Sequence, residues 1–169
     1  MNPLPVILRW TLVVATTLVI QVAVMPSFTV FGVVPNLMVM LAACAGLSGG
    51  AQRGAVVGFW IGLAFDAPRP VPLGVSALAF TFVAFGAGTF QVAVLQAGRV
   101  ISMVLVGLSS AVGVLVYALV GEVFNQDSLA HPRLGAIVVV EAIVAAALSR
   151  VGLKVAGWAD GPEVRAVAE

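Results

Sequence analysis

A chain of 169 residues that carries only eight basic and seven acidic side chains cannot cover a soluble domain with charge. Its residues are 62% hydrophobic, and the apolar runs reach the length of about 20 residues that a helix needs to cross a membrane. The net charge of +1 comes without a basic cluster, so nothing in the composition supports binding to nucleic acid. We therefore predict an all-α integral membrane protein.

The first predicted span covers residues 10–25. An uncleaved helix is favoured over a cleaved signal peptide, because the segment AVMP at its end is a poor cleavage site. An apolar connector leads to Pro35, which suits the first turn of a second span over residues 36–47. After a glycine-rich turn, residues 55–65 form a third span. These two spans are short, which favours a tilted helical hairpin and leaves a re-entrant pair open.

Three further spans are predicted in the second half of the chain, over residues 74–94, 100–120 and 134–148. Residues 154–169 are predicted to be a polar cytoplasmic tail. No linker or internal repeat divides the sequence. Residues 1–169 are therefore predicted to form a single transmembrane domain, a compact bundle of about six helices.

The positive charges predict the orientation, because cytoplasmic loops retain Lys and Arg. With six spans, one side of the membrane holds only two basic residues, Arg69 and Arg133. The opposite side holds the other six: Arg9, Arg53, Arg99, Arg150, Lys154 and Arg165. Both termini are therefore predicted to be cytoplasmic, and the proline-rich loop after the third span faces outward.

A row of small residues follows one face of the third span. Gly54, Gly58 and Gly62 recur every four residues, and Asp66 occupies the next position of the row. Small residues in such a row let a second helix approach closely, which matters in lipid, where apolar surface does not drive helices together. Packing inside the bundle is the favoured interpretation, and packing against a partner protein is the alternative.

Asp66 is followed by a stiff proline-rich segment and then by Gly74, where the fourth helix begins. The free N–H groups at that helix start suit an acidic side chain. We therefore expect Asp66 to cap the fourth helix or to pair with Arg69, and so to fix the external turn. Direct contact with a partner protein is the alternative.

Glu141 lies inside the sixth predicted span, where a carboxyl group is costly and usually faces the bundle interior. A structural polar contact is favoured over a role in moving protons or substrate. A catalytic pair with Asp66 would need the two carboxyl groups at hydrogen-bonding distance, and neither context resembles a protease motif. Cys44 and His131 are single and lack metal-binding partners. No catalytic residue, cofactor site or metal site is predicted.

Several of these residues form an ordered set within residues 33–80. The set comprises Pro35-Asn36-Leu37, Gly54, Gly58-Phe59, Gly62, Asp66, Pro72-Leu73-Gly74 and Ala77-Leu78. This order and spacing resemble the rod shape-determining protein MreD family. The loop APRPV departs from that pattern, because it is richer in proline than the family leads us to expect.

The resemblance implies a non-enzymatic protein of the bacterial inner membrane that belongs to the cell-wall elongation machinery. It implies an MreC-like single-span partner, and through that partner a link to MreB-like filaments and to the SEDS-type glycosyltransferase with its transpeptidase. It also implies a fold similar to the substrate-binding subunits of energy-coupling-factor vitamin transporters.

A vitamin transporter subunit is also the alternative function. Such a subunit needs an outward-facing pocket with several convergent polar groups, and the predicted spans contain few. Its first helix would carry a row of alanines that meets the transporter's motor, but Val19 interrupts that row here. These differences favour the membrane scaffold over the transporter.

Overall fold

The computed structural model describes residues 4–70, 72–92, 99–123 and 133–161, and not the side chains of Leu4 and Arg99. The described residues form six α-helices and no β-strand, which confirms the predicted all-α class. The helices are α1 Leu4–Ala23, α2 Leu37–Gly49, α3 Ala51–Asp66, α4 Val75–Gly88, α5 Arg99–Val123 and α6 Leu134–Asp160.

Three segments in the described part of the chain are helical, long and apolar enough to cross a membrane. They are Pro5–Ser27, Val100–Val123 and Leu134–Asp160. Helices α2 and α4 are apolar but shorter than a full span. How far α2, α3 and α4 cross the bilayer therefore stays a prediction.

Helix α2 lies at the centre of the bundle. Its residues from Met38 to Leu47 are all buried, and it packs against each of the other five helices. A helix that is apolar on every side is expected to be surrounded in this way. Because α2 has only 13 residues, its two ends also lie within the protein, and their free backbone groups need partners there.

The helix bounds differ from the predicted spans in several places. Helix α1 begins at Leu4 and α3 at Ala51, before the predicted starts at residues 10 and 55, so part of the predicted glycine-rich turn is helical. Helix α4 ends at Gly88, before the predicted end at residue 94, where Thr89 and Phe90 turn back to bond carbonyls three residues earlier. Helix α6 continues to Asp160, because no proline or glycine pair interrupts it, and it stops at Gly161 with a φ of +79°. Residues 154–160 are therefore helical and do not belong to a tail.

The start of α2 also differs from the prediction. Pro35 precedes the helix instead of lying in its first turn, and Asn36 is the N-cap. The Asn36 side chain accepts hydrogen bonds from two backbone N–H groups of the first turn, and the helix therefore begins at the next residue, Leu37.

Helices that follow one another in the chain run in opposite directions, so their termini gather at two ends of the bundle. We call the end that contains the starts of α2 and α4 and the end of α3 the Asp66 end. We call the opposite end, where α2 and α6 finish, the Asp160 end. Hydrogen bonds across the chain join the helices at both ends, for example Gly74 with Asp66 and Ser48 with Asp160.

Candidate functional site

Helices α3 and α4 pack along the glycine row with their backbones in direct contact. A Cβ atom on Gly58 would lie 2.6 Å from the carbonyl oxygen of Phe80. A Cβ atom on Gly62 would lie 2.5 Å from the Cα atom of Ala77, and Gly54 approaches the backbone of α2 as closely. Any side chain at these positions would push the helices apart. The glycine row therefore packs inside this bundle.

Asp66 ends the row and is fully buried. Its Oδ2 atom accepts hydrogen bonds from the backbone N–H of Gly74 at 2.8 Å and of Ser76 at 3.1 Å. These N–H groups lie at the start of α4, where the helix itself supplies no acceptor. Of the two expected contacts, the structure contains the one with the helix start.

Arg69 does not form the alternative ion pair with the Asp66 carboxyl group. Its guanidinium lies 4.5 Å from the centre of the Phe65 ring, and its Nη1 donates to the hydroxyl of Tyr117 at 3.3 Å. Only its backbone N–H bonds to Asp66, at the carbonyl oxygen. Aromatic contacts with Arg side chains stabilise such an arrangement by about 1 kcal/mol. Arg69 therefore joins the turn after α3 to α5.

Pro72, Leu73 and Gly74 lead the chain into α4. Gly74 adopts a φ of +107°, which an L side chain rarely tolerates, and its N–H points to Asp66. The Leu73 side chain is 70% exposed. This part of the ordered set therefore shapes the turn, and its residues Pro72 and Leu73 are exposed.

The start of α2 shows a second cap, built from three helices. The four backbone N–H groups of residues 36–39 all donate to side-chain oxygens. Glu141 Oε2 accepts from Asn36 at 2.7 Å, and Gln21 Oε1 accepts from Leu37 at 2.7 Å. The next two groups donate to Asn36 Oδ1 at 3.1 and 3.4 Å. Every free donor of this helix start is therefore paired.

Glu141 is only 3% exposed, and its contact with Asn36 joins α6 to the centre of the bundle. Gln21 also donates through Nε2 to the Pro35 carbonyl at 3.1 Å. The side-chain amide of this one residue in α1 therefore bonds the chain both before and after Asn36. The residues Pro35 and Asn36 of the ordered set therefore lie where three helices meet.

Asp160 makes a comparable junction at the opposite end, which the sequence analysis missed. It accepts from Trp10 Nε1 at 3.0 Å and from Ser48 Oγ at 2.7 Å, and it is 4% exposed. Gln91 adds a bond to the Ser48 carbonyl at 2.9 Å. Residues 151–159 are uncharged apart from Lys154 and contain no proline, which could have indicated that Asp160 belongs to a helix and not to a tail.

The arrangement of the carboxyl groups is structural in character. Asp66 and Glu141 accept from the starts of two different helices, and no hydrogen bond joins them among the described residues.

Three buried side-chain oxygens in the described part of the chain have no hydrogen-bond partner: Asp66 Oδ1, Ser76 Oγ and Ser110 Oγ. Cys44 is buried and lies against Gly152 of α6. His131 lies outside the described residues.

Comparison with models of known protein families gives a match. A family model described as rod shape-determining protein MreD matches residues 1–149. No curated protein and no solved structure matches the chain. The likeness to vitamin transporter subunits therefore stays a prediction.

Proposed function

We propose that this chain, which belongs to the MreD family of rod shape-determining proteins, is a non-enzymatic membrane component of the bacterial complex for lateral cell-wall synthesis. The family match covers residues 1–149 and supports a role in determining rod shape. Our proposal adds that the chain binds an MreC-like partner. Through that partner it would be linked to MreB-like filaments and would support peptidoglycan synthesis by a SEDS glycosyltransferase and its transpeptidase.

The observation that supports a scaffold most strongly is that residues of the ordered set within residues 33–80 make contacts between helices. The Asn36 N–H bonds to Glu141 of α6, Asp66 of α3 caps α4, and Gly58 and Gly62 bring two backbones together. Each of these contacts fixes one helix against another. Such a bundle is suited to hold a rigid outer surface against a partner helix.

The position of the glycine row limits where that partner can bind. Because α4 covers Gly58 and Gly62, a partner helix has no access to them. We therefore place the partner on the outward apolar faces of the longer helices, where side chains such as Leu12, Val104 and Leu108 are more than half exposed.

Affinity purification of the tagged full chain from membranes tests the partner proposal. We expect an MreC-like protein to be recovered with the native chain and with Gly86→Ala, where an added Cβ meets no atom within 4 Å. We expect it to be lost with Gly62→Ala, which disturbs the contact between α3 and α4. Recovery of an energy-coupling ATPase in place of the MreC-like protein would contradict the proposal.

We further propose that the chain lies in the bacterial inner membrane with both termini in the cytoplasm. The Asp66 end then faces outward, because it holds Arg69 and Arg133, while most of the basic residues lie nearer the opposite end. In a Cys44→Ala background, a cysteine replacing the exposed Leu73 should react with an impermeant reagent in intact cells. A cysteine replacing the exposed Gln52 should react only after permeabilisation. The reverse result would contradict the proposed orientation.

A further inference from the structure

An open cleft of about 280 Å³ lies at the Asp66 end, between α1, the start of α2 and the end of α3. Its lining includes Gln21, Val22, Asn36, Phe65, Pro68 and Arg69. Gln21 and Asn36 keep their positions through the hydrogen bonds that cap α2, and Phe65 keeps that of the Arg69 guanidinium. The cleft is therefore held in shape by contacts that already exist in the fold.

Arg69 is the charged residue in the lining of the cleft, and no carboxylate among the described residues pairs with its guanidinium. Glu141 contacts the backbone N–H of Asn36 but is not part of the lining. Asp66, the nearest acidic residue in sequence, is buried, and its Oδ2 atom is occupied by the start of α4. The one side-chain hydrogen bond that Arg69 makes with a described residue goes to the Tyr117 hydroxyl. A guanidinium carries five N–H donors, so most of them stay available to a ligand. The side-chain Nδ2 of Asn36, which also lines the cleft, makes no hydrogen bond with a described residue.

The position of the cleft along α1 places it at the membrane surface. The apolar segment that includes α1 runs over Pro5–Ser27, and Gln21, Val22 and Pro26 lie at its last turns. Val22 is 54% exposed, so apolar surface continues from the cleft down the outside of α1. At this level of a bilayer, the abundant anions are the phosphate groups of lipid headgroups.

We propose that this cleft binds a phosphate group, with Arg69 as its main donor and Asn36 as a second. Arg pairs with phosphate through two parallel N–H···O bonds and is less strongly hydrated than Lys, which suits it to this site. The phosphate is that of an anionic lipid whose acyl chains follow α1, or a free phosphate from solution. This binding does not depend on the proposed MreC-like partner.

Native mass spectrometry of the detergent-solubilised full chain can measure the binding, with phosphatidylglycerol and phosphatidylcholine as probes. We expect the chain to retain one phosphatidylglycerol in preference to phosphatidylcholine. Arg69→Gln should weaken that binding about tenfold, because it removes the charge-assisted bonds. Arg150→Gln removes the same charge from an exposed position on α6 away from the cleft, and it should leave the binding unchanged.

A second variant tests the cleft apart from the charge. Val34 lines the cleft and is 40% exposed, so Val34→Trp should fill it while Arg69 remains. We expect the same loss of phosphatidylglycerol, with the helical content and thermal midpoint of the native chain. Displacement of bound phosphatidylglycerol by inorganic phosphate would support the phosphate site, and retention of inorganic phosphate without retention of either lipid would identify free phosphate as its source. Equal binding of both lipids, or unchanged binding by Arg69→Gln, would overturn the proposal.

Discussion

Replacing Gly62 with alanine should lower the free energy of unfolding of the bundle by about 3 kcal/mol, the upper part of the range for overpacking. The added Cβ would lie 2.5 Å from both the Cα and the N atom of Ala77, and closer still to the Ser76 carbonyl oxygen. These are backbone atoms of α4, so no side chain can rotate away to make room. The helices would have to separate, and the hydrogen bonds of Asp66 to α4 would lengthen with them.

The matched control is Gly86→Ala. Gly86 also lies in a helix, in the last turn of α4, but a Cβ there meets no atom within 4 Å, so alanine should be neutral or slightly stabilising. Thermal unfolding of both variants in the same detergent measures the difference. Equal thermal midpoints for Gly62→Ala and the native chain would show that α3 and α4 do not pack along this row.

Asp66→Leu should lower the free energy of unfolding by a similar amount, about 3 kcal/mol. The substitution removes the acceptor of the Gly74 and Ser76 N–H groups, and each buried donor left without a partner costs about 1–3 kcal/mol. The start of α4 would then be held only by side-chain packing. We expect the MreC-like partner to be lost as well, because the turn before α4 would no longer have one conformation.

Asp66→Asn is the control for this prediction. The amide oxygen can still accept from both N–H groups, so the expected loss is about 1 kcal/mol, typical of a weakened cap. Thermal unfolding and partner recovery measured together separate the two substitutions. A partner lost from Asp66→Asn at native stability would indicate that the carboxyl group acts on the partner and not on the helix start.

The features predicted from the sequence were those that depend on local spacing. The four-residue recurrence of Gly54, Gly58 and Gly62 indicates close packing because it places the small residues on one face of a helix. The cap by Asp66 could be anticipated because Gly74 begins a helix only eight residues later. In both cases the partner lies in the same helical hairpin.

The features that the sequence did not predict depend on residues far apart in the chain. Glu141 was expected to make a polar contact, but its partner Asn36 lies 105 positions away, and no local pattern connects them. Asp160 bonds to Trp10 across 150 positions, and its role was missed because the apolar helix was ended too early. Burial of the short helix α2 creates the first junction, since the free N–H groups at its start must find acceptors within the bundle. Asp160 instead accepts from the side chains of Trp10 and Ser48.

The two caps explain why a bundle with so few polar residues places carboxyl groups in its interior. Burying an isolated carboxyl group costs free energy, and so does burying the unpaired N–H groups at a helix start. A hydrogen bond between the two reduces both costs. Asp66 therefore fixes the start of α4, and Glu141, together with Gln21 and the Asn36 side chain, fixes the start of α2; the two caps act independently of each other.

Hydrogen–deuterium exchange resolved to single amides tests this claim most directly. In Asp66→Leu, the amides of Gly74 and Ser76 should exchange at least about tenfold faster, while the amide of Asn36 stays protected. In Glu141→Leu, the amide of Asn36 should exchange faster while those of Gly74 and Ser76 stay protected. Exchange that rises equally at both helix starts in both variants, or at neither, would contradict the account.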